Sequence, residues 1–131
     1  MTRERFIKIL DRKRYSYEIE GDKIVVTCRG SVNLEIITSL PPGVVFKNED
    51  DVFLNSLETL PHGVEFKNGG TAWLPSLKTI YPSVEFKNGG SVKLDLLMGK
   101  YVVWFENWPG NIEGVDSKKL LNLMIKQGVF I

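Results

Sequence analysis

Cysteine and histidine, the side chains best suited to nucleophilic, general-base and zinc chemistry, are scarce in this chain. There is one cysteine, Cys28, and one histidine, His62. A lone thiol forms neither an internal disulfide nor a multi-cysteine zinc site, and a lone imidazole cannot complete a His/Cys metal cluster. Asp50 and Asp51 are adjacent, but they offer His62 no triad spacing, so all three read as loop residues. With no nucleophile–base pair or acid–base dyad to gather around a pocket, the chain is expected not to be an enzyme. No cofactor, metal or small-molecule substrate is implied.

What remains is surface chemistry. Phe53 and Trp73 stand twenty residues apart, as do Lys47, Lys67 and Lys87. Aromatic side chains on an outward face make an apolar patch, which commonly marks a protein interface. A lysine column could meet phosphate or an acidic partner, although Glu65 and Glu85 stand two residues before Lys67 and Lys87 and offset them. Arg3, Arg5, Lys8, Arg12, Lys13 and Arg14 make the N-terminus basic, relieved only by Glu4 and Asp11. Such a run suits a nucleic acid or an acidic protein, or simply the wet face of an amphipathic helix. The formal net charge of +1 argues against both a dedicated nucleic-acid binder and an acidic DNA mimic.

A repeat must position these residues. Val64-Glu65-Phe66-Lys67-Asn68-Gly69-Gly70 recurs as Val84-Glu85-Phe86-Lys87-Asn88-Gly89-Gly90. In register before them stand Val44-Val45-Phe46-Lys47-Asn48-Glu49-Asp50 and the degenerate Ile24-Val25-Val26-Thr27-Cys28-Arg29-Gly30. The second half of each unit keeps the phase through Leu34, Leu54, Leu74 and Leu94, then Ile37, Leu57, Leu77 and Leu97. Each unit holds two short runs with apolar residues at alternate positions, the pattern of half-buried strands. The Gly69-Gly70 and Gly89-Gly90 pairs are expected to turn the chain at positive φ. Pro41-Pro42-Gly43, Pro61-His62-Gly63 and Tyr81-Pro82-Ser83 mark the other corner.

These features predict a mainly β fold: a parallel β-solenoid of four 20-residue coils with two short strands per coil. Within a single domain of 131 residues, residues 1–23 form an N-terminal helix and hairpin cap, and residues 24–100 form the coils. Residues 101–131 supply a terminal half-coil, read from Val103-Trp104-Phe105-Glu106-Asn107, and a C-terminal helix with Asp116 as N-cap and Gly128 as stop. Residues one repeat apart then lie above one another. Phe46, Phe66 and Phe86 form an inward column, while Asn48, Asn68 and Asn88 point inward at a corner and bond one another and the turn backbone. Cys28 shares that rung as a buried, inert thiol. Phe53 and Trp73 stack outward between Asn33 and Lys93, unless Tyr15 and Tyr17 or the N-terminal helix cover them.

Val-x-Leu-x-Ser-Leu-x-x-Leu-Pro, spanning Val52 to Pro61, resembles a leucine-rich-repeat variant. With Gly-Val-x-Phe-x-Asn-Gly-Gly, it resembles short tandem-repeat proteins, mostly uncharacterised, of bacteria and their phages and mobile elements. Asn68 follows Phe66 by two residues rather than three, so a flatter two-strand solenoid is expected in place of a curved horseshoe. The resemblance implies a binding surface and no reaction, and in a phage context an inhibitor of a host defence complex, such as an anti-CRISPR type protein. A protein partner is expected at Phe53, Trp73, Lys47, Lys67 and Lys87; the alternative is a nucleic-acid-associated factor using the basic N-terminus and the lysine ladder. The N-terminus has no apolar signal core, and no apolar stretch approaches the ~20 residues of a membrane span. A soluble cytoplasmic protein without membrane contact is expected.

Overall fold

The structure, a computed structural model, describes the backbone of residues 1–98, 101–105, 111–112, 115–128 and 130. Side chains are described for residues 1–94, 119, 121–128 and 130. The elements follow in order as α1 (Arg3–Lys13), β1 (Tyr17–Glu20), β2 (Lys23–Val26), β3 (Val32–Asn33), β4 (Val44–Phe46), β5 (Val52–Phe53), β6 (Thr59–Leu60) and β7 (Glu65–Phe66). The chain continues through β8 (Ala72–Leu74), β9 (Thr79–Ile80), β10 (Glu85–Phe86), β11 (Val92–Met98), β12 (Tyr101–Phe105), β13 (Asn111–Ile112), β14 (Val115–Asp116) and α2 (Ser117–Lys126).

The strands stack as a parallel β-solenoid of about four turns. One sheet runs β1-β2-β4-β7-β10 and the other β12-β11-β8-β5-β3. Register follows the repeat: Phe46 pairs with Phe66 and Phe66 with Phe86, while Phe53 pairs with Trp73 and Trp73 with Lys93. The three inward phenylalanines are fully buried, with centroids 5.2 and 4.8 Å apart and planes within 17° and 8°. Those spacings are close to the ~4.8 Å between neighbouring strands, so the ladder itself imposes the stack. Burying each ring contributes about 1.5–3 kcal/mol. Val32, Val52, Ala72 and Val92 with Leu34, Leu54, Leu74 and Leu94 fill the opposite wall.

A third side adds to the two strands expected per coil. Thr59–Leu60 and Thr79–Ile80 form a short parallel ladder of their own. Tyr81 N–H donates to Leu60 O at 3.1 Å. Pro61, one coil earlier, has no N–H to give Leu40, so the ladder starts only at β6.

The corners correct one sequence expectation. Positive φ occurs at Gly43 and Gly63, at 78° and 77°, and at neither glycine pair. The pairs answer a different constraint, the close passage of one coil over the next. A Cβ on Gly69 would collide with Glu49 O, and one on Gly89 would lie 2.6 Å from Gly69 O.

Asn48, Asn68 and Asn88 are 1%, 1% and 3% exposed in that corner. Asn48 Nδ2 donates to the carbonyls of Gly30, Asp50 and Asp51 at 3.0, 3.2 and 3.0 Å. Asn68 Nδ2 reaches Asp50 O and Thr71 O, and Asn88 Nδ2 reaches Gly70 O, Gly90 O and Ser91 O. Each amide thus ties its own turn to the coil before it. The amide hydrogens of Asn48 and Asn68 are spent on carbonyls rather than on the next asparagine. Their Oδ1 atoms find no donor among the described residues. Cys28, on the outermost rung, is half-buried rather than buried, and desolvation still raises its thiol pKa.

A helix packs over the core at each end. Thr2 caps α1 by accepting from Arg5 N–H at 3.2 Å, and Phe6 and Leu10 plug the N-terminal end of the core. Gly128, at φ 73°, stops the chain after α2 and donates to Ile125 O at 3.0 Å. Leu121, Ile125 and Phe130 seal the C-terminal end. Asp116 lies in β14, paired with Asn111; its side chain and that of Leu120 fall outside the described residues. The expected terminal half-coil is replaced by a hairpin, in which β11 runs on to Met98 and β12 pairs antiparallel with it. Asn55-Ser56 and Pro75-Ser76 turn the chain after Leu54 and Leu74, whereas the equivalent Asp95-Leu96 holds leucine in place of the serine, and the strand runs on through Leu97 and Met98. Glu106 and Asn107 lie outside the described residues.

Candidate functional site

Along the outer face of the β3-β5-β8-β11 sheet, parity places Asn33, Phe53, Trp73 and Lys93 one above another. Phe53 and Trp73 are half-buried, stacked with centroids 5.7 Å apart and planes within 21°. Lys93 Nζ sits 3.8 Å from the centroid of the Trp73 ring, a cation–π contact. Trp73 Nε1 donates to Asp51 Oδ2 at 3.3 Å, while Asp51 Oδ1 accepts from Thr71 N–H at 2.8 Å. The Trp73 ring therefore has a carboxylate bonded at its edge, an ammonium over its face and the Phe53 ring stacked beside it. Asn55, at their edge, has a buried Oδ1 with no donor among the described residues.

The hairpin tyrosines are engaged elsewhere. Tyr15 OH accepts from the Asn33 backbone N–H at 2.9 Å, at the end of the stripe. Tyr17 OH donates to Asp11 Oδ1 at 2.9 Å, and this bond to a carboxylate raises its pKa. Among the described residues, neither tyrosine ring stacks on Phe53 or Trp73.

Lys47, Lys67 and Lys87 do form a column on the other sheet, but two of the three are neutralised in place. Lys67 Nζ lies 3.5 Å from Glu65 and Lys87 Nζ 2.9 Å from Glu85. The hydrogen bond from Lys87 lowers the Glu85 pKa and raises that of Lys87. Lys47 has Val45 where the later coils have glutamate, and no carboxylate lies within 4.0 Å of it among the described residues.

Stacking also brings together a pair that sequence reading did not assemble. Ser83 Oγ lies 3.3 Å from His62 Nδ1 and accepts from Gly63 N–H at 2.8 Å. The His62 ring leans on Tyr81 with centroids 4.5 Å apart. One signal was present: position 83 holds serine where Gly43 and Gly63 occupy the equivalent corner. Both side chains are exposed. Among the described residues no carboxylate hydrogen-bonds His62, so the imidazole lacks the third group that orients a catalytic base. The contact fastens one corner to the next.

Comparison with protein-family models, with curated proteins and with solved structures finds no match to this chain. Among the described residues, no helix is long and apolar enough to cross a membrane.

Proposed function

We propose that this protein is a non-enzymatic interaction module that presents the outer Phe53–Trp73 stripe to a protein partner. The observation that carries this reading is the pair of stacked rings on the outward side of a rigid sheet, with both hairpin tyrosines committed to other bonds. Aromatic side chains that are immobile before binding lose little entropy on association, which suits them as anchors. The likeness of the repeat to leucine-rich-repeat variants of phages and mobile elements extends the proposal to an inhibitor of a host defence complex, of anti-CRISPR type, acting in the cytoplasm by occupying a protein surface.

A nucleic-acid-associated factor takes second place. It would draw on the basic N-terminal helix and the lysine column, and the glutamates beside Lys67 and Lys87 weigh against a phosphate track along the column. The test is affinity capture from host lysate with the native chain and a Phe53→Ser/Trp73→Ser variant, with and without nuclease. The interaction module predicts a captured protein that resists nuclease and moderate salt and is lost with the variant. Capture that disappears with nuclease and falls steeply with salt would favour the second reading. Since the stack and the cation–π contact are each worth about 0.5–1.5 kcal/mol, the variant should fold with a modest loss of stability.

A further inference from the structure

We propose that the groove between α1 and the first coil is a second docking site, built for an extended acidic peptide segment of a protein partner. The groove encloses about 800 Å³. Its helical wall carries Arg5, Lys8, Arg12 and Lys13, all exposed, with half-buried Ile9 among them. Positions 5, 8, 9, 12 and 13 fall on one stripe of a helix, while Phe6 and Leu10 face the core. Like charges at i,i+3 and i,i+4 repel by a few tenths of a kcal/mol per pair. Glu4 and Asp11 offset these charges only in part. Asp11 is bonded to Tyr17, and no ion pair reaches these four cations among the described residues.

The facing wall comes from the first coil and breaks the repeat there. Ile36 is 83% exposed and lines the groove, whereas the same rung holds Ser56 and Ser76 in the next two coils. An isoleucine replacing serine at an exposed rung gains nothing for the core, so a partner accounts for it better than folding does. Thr38 and Ser39 complete that wall, and neither makes a backbone–backbone hydrogen bond with a described residue. They are the third side of the first coil, ahead of the ladder that begins at Thr59.

The three features select one kind of occupant. Free backbone groups pair with an extended chain, Ile9 and Ile36 take an apolar side chain, and four cations take carboxylates. A polynucleotide would use the cations alone, because the groove offers no aromatic platform for its bases.

The test titrates the full chain into a labelled octapeptide alternating glutamate with leucine or valine. The same is done with a glutamate–serine peptide and a single-stranded oligonucleotide. Anisotropy should show saturable binding of the first peptide, weakened by salt, with the glutamate–serine peptide at least five-fold weaker. Ile36→Ser should reduce affinity at least five-fold with an unchanged melting temperature, and Arg5→Ala/Lys8→Ala should do so by ten-fold or more. Phe53→Ser/Trp73→Ser should bind this peptide as the native chain does, which separates the groove from the aromatic stripe. Absence of saturable binding up to millimolar peptide, indifference to Ile36→Ser, or tighter binding of the oligonucleotide would each overturn the proposal.

Discussion

Among the described residues, the last coil finds a partner on each of its three sides at the C-terminal end of the solenoid, whereas at the N-terminal end one side is left open. Asn122 of α2 closes the β10 edge by mimicking a strand. Its Oδ1 accepts from Phe86 N–H at 2.7 Å and its Nδ2 donates to Phe86 O at 2.8 Å. β12 closes the β11 edge, and Phe130 O accepts from Ile80 N–H at 3.1 Å on the third side. At the other end β1 covers β2, and Tyr15 OH satisfies Asn33 N–H. Thr38 and Ser39 receive no such cover from the described residues. An exposed edge invites association with another chain, so closure at one end and an opening at the other separate protection from use.

Deleting residues 117–131 should break the comparison most severely. It removes the closures at Phe86 and Ile80 together with the apolar seal of Leu121 and Ile125, so the chain should form soluble oligomers. Light scattering after size exclusion checks this. A truncated chain that stays monomeric at high concentration would show that these edges are protected in another way.

Smaller in effect, Asn122→Leu and Asn68→Ala set an end against the middle. Each strands backbone groups in a buried or half-buried place, at about 1–3 kcal/mol measured by denaturant unfolding. Only Asn122→Leu should also speed hydrogen exchange at the Phe86 amide, because Asn68 serves the turn carbonyls and no strand edge. Equal exchange at Phe86 in both variants would contradict the assigned role of Asn122.

The smallest effect is electrostatic. Glu85 is held below the usual glutamate value, first by the hydrogen bond from Lys87 and then by the charges of Lys87, Lys126 and Lys67, with partial burial opposing. Its folded pKa is depressed, so its contribution to stability is present above the ordinary glutamate value of about 4.3 and is lost as pH falls through the lower folded value. Because Lys87 is exposed and Glu85 only half-buried, Glu85→Gln should flatten the acid limb of the stability profile only slightly. A variant with an unaltered acid limb would remove even this role.

The amino-acid sequence by itself determined the ladders. A period held over four units leaves one way to superpose them, so the Phe46–Phe66–Phe86 column, the buried asparagines and the stacking of Phe53 on Trp73 were all legible from spacing and parity. The two terminal helices were expected as well, the second with Gly128 as its stop. What only the tertiary structure decided depends on the distance between one coil and the next. The glycine pairs answer to a neighbouring backbone rather than to their own φ, and the asparagine amides choose carbonyls of the coil before them. Ser83 meets His62 only because corners stack, and Asn122 finds Phe86 across thirty-six residues with no spacing to announce it. Repetition encodes what lies above what; which free group closes each end, and which is left open beside Ile36, is settled by packing between segments that share no period.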